Sequence, residues 1–414
     1  MPHSRNLSGC QVFSPSHMPN DWACVPLKDR LELLYGRALK EELRKPGDVE
    51  VFGSNGKVGT HNVHWLDGPG VLVGRKGTVG AVHYTKKPFW PIDTVYYVKP
   101  VQEDNLRYLY YLLDYLPLKN LNAATGVPGL SRRDAYALRG AFPPTNEQTA
   151  IAHILDAVDT ALERDREAET QADELKRALM QKLFTEGTRK QQQKKTAIGY
   201  IPASWEVKQV SAVVTDFEYG LSLPMSLKGA TPILRMGNIQ RGDVVMEGLK
   251  YVTLPQRLLD RYLLRRGDVL FNRTNSQEHV GKVGIYRSDD PAVFASYLIR
   301  LHPDSTQIDN YYLGHLLTSY QAQCRIKRYA TPGVQQVNIN AKNLGKVLIP
   351  VPVGADGLDE QREIAALLEK ADERVRSYAP VLNALEQLKK SLMHDLLTGI
   401  VRVNSSEINE LTPT

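Results

Sequence analysis

A chain of 414 residues, 42% hydrophobic and 24% charged, has room for two to four domains and the composition of an ordinary soluble protein. No run of about eighteen apolar residues occurs, which excludes a membrane span. Cys10, Cys24 and Cys324 are odd in number and scattered, which excludes a disulfide framework or a cysteine metal site and points to a reducing, cytoplasmic setting.

The net charge of +6 is unevenly placed. Residues 20–145 carry 17 Lys and Arg against 13 Asp and Glu, and residues 200–355 carry 18 against 12. Residues 147–187 reverse the balance with 5 against 10, as do residues 359–400 with 6 against 8. Phosphate needs positive surface, so the basic stretches are candidates for nucleic acid and the acidic ones for protein.

In chain order, residues 1–18 have no apolar core behind a basic start and read as a loose arm, not a secretion signal. A first globular region, 19–145, opens at Pro19-Asn20-Asp21-Trp22. Its short apolar runs Val49–Phe52, Val71–Val73, Val79–Val82 and Thr94–Val98, punctuated by Gly and Pro, predict strands, and Leu106–Leu116 has helical spacing. Residues 126–131 read as a loop. Residues 146–187 predict a long helix with Asn146 as its cap and Gly187 as its stop. The polar, basic run 188–199 has nothing to bury and predicts a flexible linker. A second region, 200–357, reopens at Pro202-Ala203-Ser204-Trp205. Residues 358–402 predict a second long helix, capped by Asp359 and kinked or broken at Pro380, followed by a polar tail, 403–414.

The two helices are one element used twice. Every position from Glu147 to Glu186 pairs, without a gap, with the position 213 residues on, so that Leu155 returns as Leu368, Asp159 as Asp372, Leu175 as Leu388, Lys176 as Lys389 and Leu179 as Leu392. Leu155, Leu175, Leu179 and Leu183, with Leu368, Leu388, Leu392 and Leu396, form apolar seams suited to a helical partner. Forty residues at 1.5 Å each span about 60 Å, the length of a spacer. The globular regions repeat too: Gly267–Arg273 corresponds to Gly70–Arg75, and Gly333–Asn338 to the loop at Gly126.

No enzyme signature survives along the chain. Gly53-Ser54-Asn55-Gly56-Lys57-Val58 lacks the opening Gly and the final Ser or Thr of a phosphate loop and reads as a turn. His61 and His64 near Asp67 lack a further ligand at suitable spacing and read as loop histidines. The polar loops are more informative. Arg75-Lys76-Gly77-Thr78 and Arg273-Thr274-Asn275-Ser276 each place a guanidinium among small hydrogen-bonding residues after an apolar strand. Ser131-Arg132-Arg133 and Gln335-Gln336 with Asn338 offer the same chemistry at matched positions. Arg can fork onto guanine and Asn or Gln onto adenine, and the same groups serve phosphates or cap solvated turns.

These stretches carry a resemblance. Gly74-Arg75-Lys76-Gly77-Thr78-Val79-Gly80, Arg235-Met236-Gly237-Asn238-Ile239 with Gly267-Asp268-Val269-Leu270, the Glu-Gln start of each long helix and its Leu-Lys-x-x-Leu-Met end resemble the specificity subunits of type I restriction-modification systems over residues 18–402. The resemblance implies an α+β chain: two similar mixed α/β DNA target-recognition domains separated by two long antiparallel helices, a coiled coil, in a pseudo-twofold repeat. It implies a non-catalytic chain that reads double-stranded DNA at a bipartite, asymmetric site, bound to two methyltransferase and two restriction-translocase subunits. S-adenosylmethionine, Mg and ATP would belong to those partners, with no cofactor or metal in this chain. Candidate DNA-contacting residues are then Asn55, Lys57, Arg75, Lys76, Thr78, Ser131, Arg132 and Arg133 in the first half, and Arg235, Asn238, Arg273, Asn275, Lys282, Gln335, Gln336 and Asn338 in the second. A coiled-coil tether with two protein-binding domains, or the DNA-recognition part of a fused nuclease-methyltransferase, would share the broad pattern.

Overall fold

The computed structural model describes residues 18–121, 129–333 and 336–403. It divides into two compact units, Met1–Arg166 with Pro380–Thr414, and Glu167–Ala379. The boundary thus runs through the middle of each helical repeat, because each half-helix is buried in the core of the unit it touches.

The first unit contains, in order, β1 (Ala23–Pro26), β2 (Leu31–Tyr35), β3 (Val49–Gly53), β4 (Gly56–His61), β5 (Gly70–Gly74), β6 (Val82–Thr85), β7 (Phe89–Pro91), β8 (Val95–Pro100), α1 (Leu106–Tyr115), α2 (Arg132–Ala137), β9 (Arg139–Phe142) and the start of α3 (Thr145–Glu186). β2, β8, β5 and β6 form one sheet and β4, β3 and β7 another, while β1 pairs with β9. Every residue of β5 is buried, as its unbroken apolar run requires of a central strand. Val71 and Val73 share a core with Tyr108, Leu109 and Leu112 of α1, Ile151 and Leu155 of α3, and Leu396 and Leu397 near the end of the chain. Val79 does not continue a strand. Gly77 and Gly80, at φ +77° and +73°, turn the chain there, and β6 begins only at Val82.

The second unit continues with β10 (Gln193–Thr196), β11 (Gly199–Pro202), β12 (Trp205–Gln209), β13 (Val214–Tyr219), β14 (Thr231–Leu234), β15 (Ile239–Gln240), β16 (Asp243–Val244), β17 (Lys250–Val252) and α4 (Gln256–Tyr262). There follow β18 (Val269–Asn272), β19 (Thr274–Asn275), β20 (Val283–Ile285), β21 (Val293–Phe294), β22 (Leu298–Pro303), α5 (Asn310–Thr318), α6 (Tyr320–Lys327), β23 (Thr331–Pro332), β24 (Val337–Asn338), α7 (Ala341–Gly345), β25 (Leu348–Pro352), α8 (Gly357–Arg376) and α9 (Tyr378–Thr398). The order β13-β22-β18-β20 reproduces β2-β8-β5-β6, and the β12-β25 pair reproduces β1-β9.

Two sequence expectations are corrected here, and the break expected near Pro380 is found. The run 188–199 is not simply a linker: Gln193–Thr196 forms a hairpin with β11, whose Ile201 is buried, so an anchored neighbour recruits a strand with nothing of its own to bury. The second repeat is two helices, α8 and α9, and the break places Pro380 in the first turn of α9, where its missing N–H costs nothing. The long helices start earlier than expected, at Thr145 and Gly357, which moves Asn146 and Asp359 inside the first turn.

Each unit is welded to its helices by the same contacts. The Trp22 indole donates to Glu147 and the Trp205 indole to Glu360, both at 3.0 Å. Gln148 accepts from the Asn105 N–H as Gln361 accepts from the Asp309 N–H, both at 2.8 Å. Lys389 pairs with Asp159 at 2.6 Å, and its repeat mate Lys176 with Asp372. These pairings run the helix segments antiparallel inside each unit. In the first unit Arg107 and the Tyr111 hydroxyl bind Asp156 and Asp159. In the second, His315 stands at the place of Tyr111, and Arg287, from beyond β20, supplies the guanidinium to Glu369 and Asp372.

Candidate nucleic-acid interface

The end of the central strand has the same construction in both units. The Arg75 N–H donates to Thr94 O at 2.8 Å, its carbonyl accepts from Leu130 N at 2.8 Å, and its Nε donates to Asp93 O at 3.0 Å. The Arg273 N–H donates to Tyr297 O at 3.0 Å, its carbonyl accepts from Ile339 N at 2.8 Å, and its guanidinium donates to Ser296 O at 3.2 Å. Both guanidiniums then lie over an exposed tyrosine at the end of the edge strand: Arg75 is 5.0 Å from the Tyr35 ring centroid, and Arg273 is 5.1 Å from that of Tyr219. In the first unit Arg132, opening α2, adds a second guanidinium 4.5 Å from the Tyr35 ring. In the second unit Ala341 opens the matching helix, and its N–H donates to the Tyr219 hydroxyl at 3.0 Å. The tyrosines escaped the sequence reading, although the Tyr-Gly pairs at 35–36 and 219–220, at nearly equal distance from Trp22 and Trp205, were the available signal.

Around Arg75 the structure gathers most first-half candidates. Lys76 and Thr78 are exposed in its turn, and Lys76 bridges to Gly129 just before Ser131 and Arg132. Asn55 is exposed at the tip of the β3-β4 hairpin, next to Ser54, whose hydroxyl lies against Gly77. Lys57 is paired with Glu50 at 3.0 Å. Ser131 caps α2 through the Asp134 N–H, and Arg133 is exposed beside Asp134. Around Arg273, β19 pairs with β24, setting Asn275 opposite Val337 and Thr274 opposite Asn338; Gln336 is exposed next to them, and Lys282 follows the turn that returns to Asn272. Gln335 lies outside the described residues. The Asn272 amide is fully buried, and neither it nor Asn338 Oδ1 has a protein hydrogen-bond partner.

Other candidates have structural work instead. Asn238 is buried; it accepts from the Arg235 N–H at 2.9 Å and donates both amide hydrogens, to Val245 O and Glu247 O, so it has no donor left for a base. Arg235 donates to Gly248 O at 3.0 Å, closing the same segment. The seam leucines pack mostly inward, Leu155 in one core with Leu396 and Leu183 in one core with Leu368. Leu155, Leu183, Leu368 and Leu396 are buried in their own units, and Leu179 and Leu392 pack against the same cores. Only Leu175 and its repeat mate Leu388 are exposed, at 71% and 46%.

His61 accepts from the Lys45 N–H and His64 pairs with Asp67 at 3.3 Å, so these residues make separate contacts. Among the described residues, His315, Glu369 and Asp372 do converge like metal ligands, but the Arg287 guanidinium is seated on both carboxylates and supplies the cation. Burial would raise the Glu369 carboxyl, and the bonds from Arg287 and His315 overcome it, holding the group well below the usual carboxylate range. No helix among the described residues is long and apolar enough to cross a membrane.

The sequence pattern of the type I restriction modification DNA specificity domain matches residues 19–172 and again 205–387. The chain belongs to that family. The type I specificity family includes a Methanocaldococcus jannaschii protein named for the specificity subunit of the type I restriction enzyme MjaX, 33% identical over 225 residues, 53% of this chain and 52% of that protein. The match thus spans about half the length of that relative. The type I restriction enzyme MjaVIII specificity subunit of the same organism is 29% identical over 309 residues, 72% of this chain and 71% of that one. The crystal structure of a type I S subunit from M. genitalium superposes with TM-score 0.65 at 18% identity, covering 92% of this chain and 97% of that one, and so shares the fold.

Proposed function

We propose that this chain is the non-catalytic specificity subunit of a type I restriction-modification complex and that each unit reads one half of a bipartite, asymmetric DNA site. The observation that supports this reading is the repeated construction at Arg75 and Arg273, one guanidinium docked on an exposed tyrosine at the same place in each unit, which marks two matched DNA-binding faces. Methylation of adenine, with S-adenosylmethionine, and ATP- and Mg-dependent translocation or cleavage belong to two methyltransferase and two restriction subunits in the cytoplasm, since a base must be extruded from the duplex into a pocket that carries the cofactor. Mapping methylated adenines across the genome with and without this gene tests the reading. A two-part motif that vanishes with the gene is the expected result; an unchanged methylome counts against it.

Leu175 and Leu388 are the repeat-matched apolar side chains left for the methyltransferase subunits. Leu175→Glu with Leu388→Glu should weaken the complex by about 2 kcal/mol or more while leaving both units folded, because an apolar anchor is replaced by a charge. Co-purification of the methyltransferase at the parent level would remove these leucines from the interface.

A further inference from the structure

We propose that Tyr35, Arg75 and Arg132 form a seat for backbone phosphate of duplex DNA, so that in the first unit this cluster supplies grip and not base discrimination; the inference rests on the DNA-reading function above. Arg75 and Arg132 lie 5.0 and 4.5 Å from one ring centroid, so their guanidinium carbons are no further apart than those two lengths laid end to end. That range suits one phosphate or two successive ones on a strand. Two guanidiniums gathered at one ring favour an anion, yet among the described residues no carboxylate pairs with either; their protein bonds go to the carbonyls of Asp93 and Leu33. Tyr35 is 47% exposed, so the cluster faces solvent.

A guanine edge is neutral and takes one guanidinium fork, whereas a phosphate carries a full charge and accepts several donors. The second unit lacks the doubled charge. Ala341 occupies the place of Arg132, and its N–H spends itself on the Tyr219 hydroxyl. The two units therefore share a reading frame of strand, arginine and tyrosine but differ in cation count. Tyr35 is a positioning residue, holding both guanidiniums against its ring.

The test is binding of the purified full chain to a short mixed-sequence duplex over a salt series, with the preferred motif determined by selection from random duplexes. Arg75→Gln with Arg132→Gln should reduce the slope of log affinity against log salt by up to about 1.8, near 0.9 for each phosphate no longer neutralised, and leave the selected motif unchanged. Tyr35→Phe should bind as the parent does, and Tyr35→Leu more weakly, at unchanged thermal stability. An unchanged slope, or a motif altered in one half, overturns the phosphate seat and makes the arginines base readers or bystanders; equal binding by Tyr35→Leu and Tyr35→Phe removes the ring from it. A parent chain that binds no duplex overturns the proposed function itself, and the seat with it.

Discussion

Arg287→Ala is expected to destabilise the second unit by about 3 kcal/mol, because the part-buried Glu369 carboxylate loses its cation while Asp372 and Asp243 keep theirs. The Arg287 side chain is 11% exposed and contacts Asp243 at 3.0 Å, Glu369 at 2.5 Å and Asp372 at 3.2 Å. Once it is gone, Lys176 still serves Asp372 and Arg376 still serves Asp243, but Glu369 keeps only His315. Amide exchange should show protection lost in α8 and α5, with α1 unchanged. Arg287→Lys should recover only part, because an ammonium cannot repeat the fork. The sign of the pH dependence follows from Glu369. Its folded pKa is depressed, so its stabilisation is complete above the unfolded value of about 4.3 and is lost as pH falls toward the folded one. The parent should therefore lose stability in acid more steeply than Arg287→Ala. Equal acid limbs in urea titrations of the two would show that the pair contributes nothing net.

On the proposed two-part reading, removing Glu163–Glu169 together with the repeat-matched Arg376–Leu382 should shorten the unspecified gap of the motif by about three base pairs while both half-sequences persist. Seven helical residues are about 10 Å, and duplex DNA rises 3.4 Å per base pair. The bridges Asp159–Lys389 and Lys176–Asp372 lie outside both deletions; of the pairs that go, the exposed Arg166–Glu386 and Arg241–Glu169 are each worth about 0–1 kcal/mol, and Asp243, which loses Arg376, keeps Arg287. The second deletion also removes Pro380 and the break between α8 and α9. A heptad leaves about 20° of residual rotation, and three base pairs turn the duplex by about a third of a turn, so fewer sites should be modified. Methylome sequencing of the deletion strain reads the gap among those that remain. An active variant with the parental gap would show that helix length does not set the spacing.

What the sequence could tell depended on how local each cause is. The 213-residue repeat announced the helices, and unbroken apolar runs announced the buried central strands at Val71 and Val269. The turn residues around Arg75 and Arg273 were visible for the same reason. Tertiary causes stayed hidden. Leu368 and Leu175 look alike in a heptad, and only packing against Ile364 and the α5 region buries the first and leaves the second bare. Asn238 carries base-reading chemistry, but carbonyls seven and nine residues away consume its amide. Tyr35 and Tyr219 became visible only when the adjoining loops brought arginines over their rings. The substitution of Arg287 for Arg107 was equally beyond reach, since the two come from unrelated places in the chain.

The Arg402 side chain binds Glu147 at 2.8 Å and Asp21 at 2.7 Å, and Leu396 and Leu397 fill the same core as Trp22 and Ile151. During synthesis this imposes an order of events. The second unit is one uninterrupted stretch, Glu167–Ala379, and has all its parts as soon as that stretch has left the ribosome. The first unit, begun earlier, must wait for Pro380 and beyond, a delay of roughly 10 to 40 s at 5–20 residues per second. The half of the protein made first is thus finished last, and a nascent chain stopped short of Leu396 leaves its earliest-made apolar surface open to chaperones and proteases.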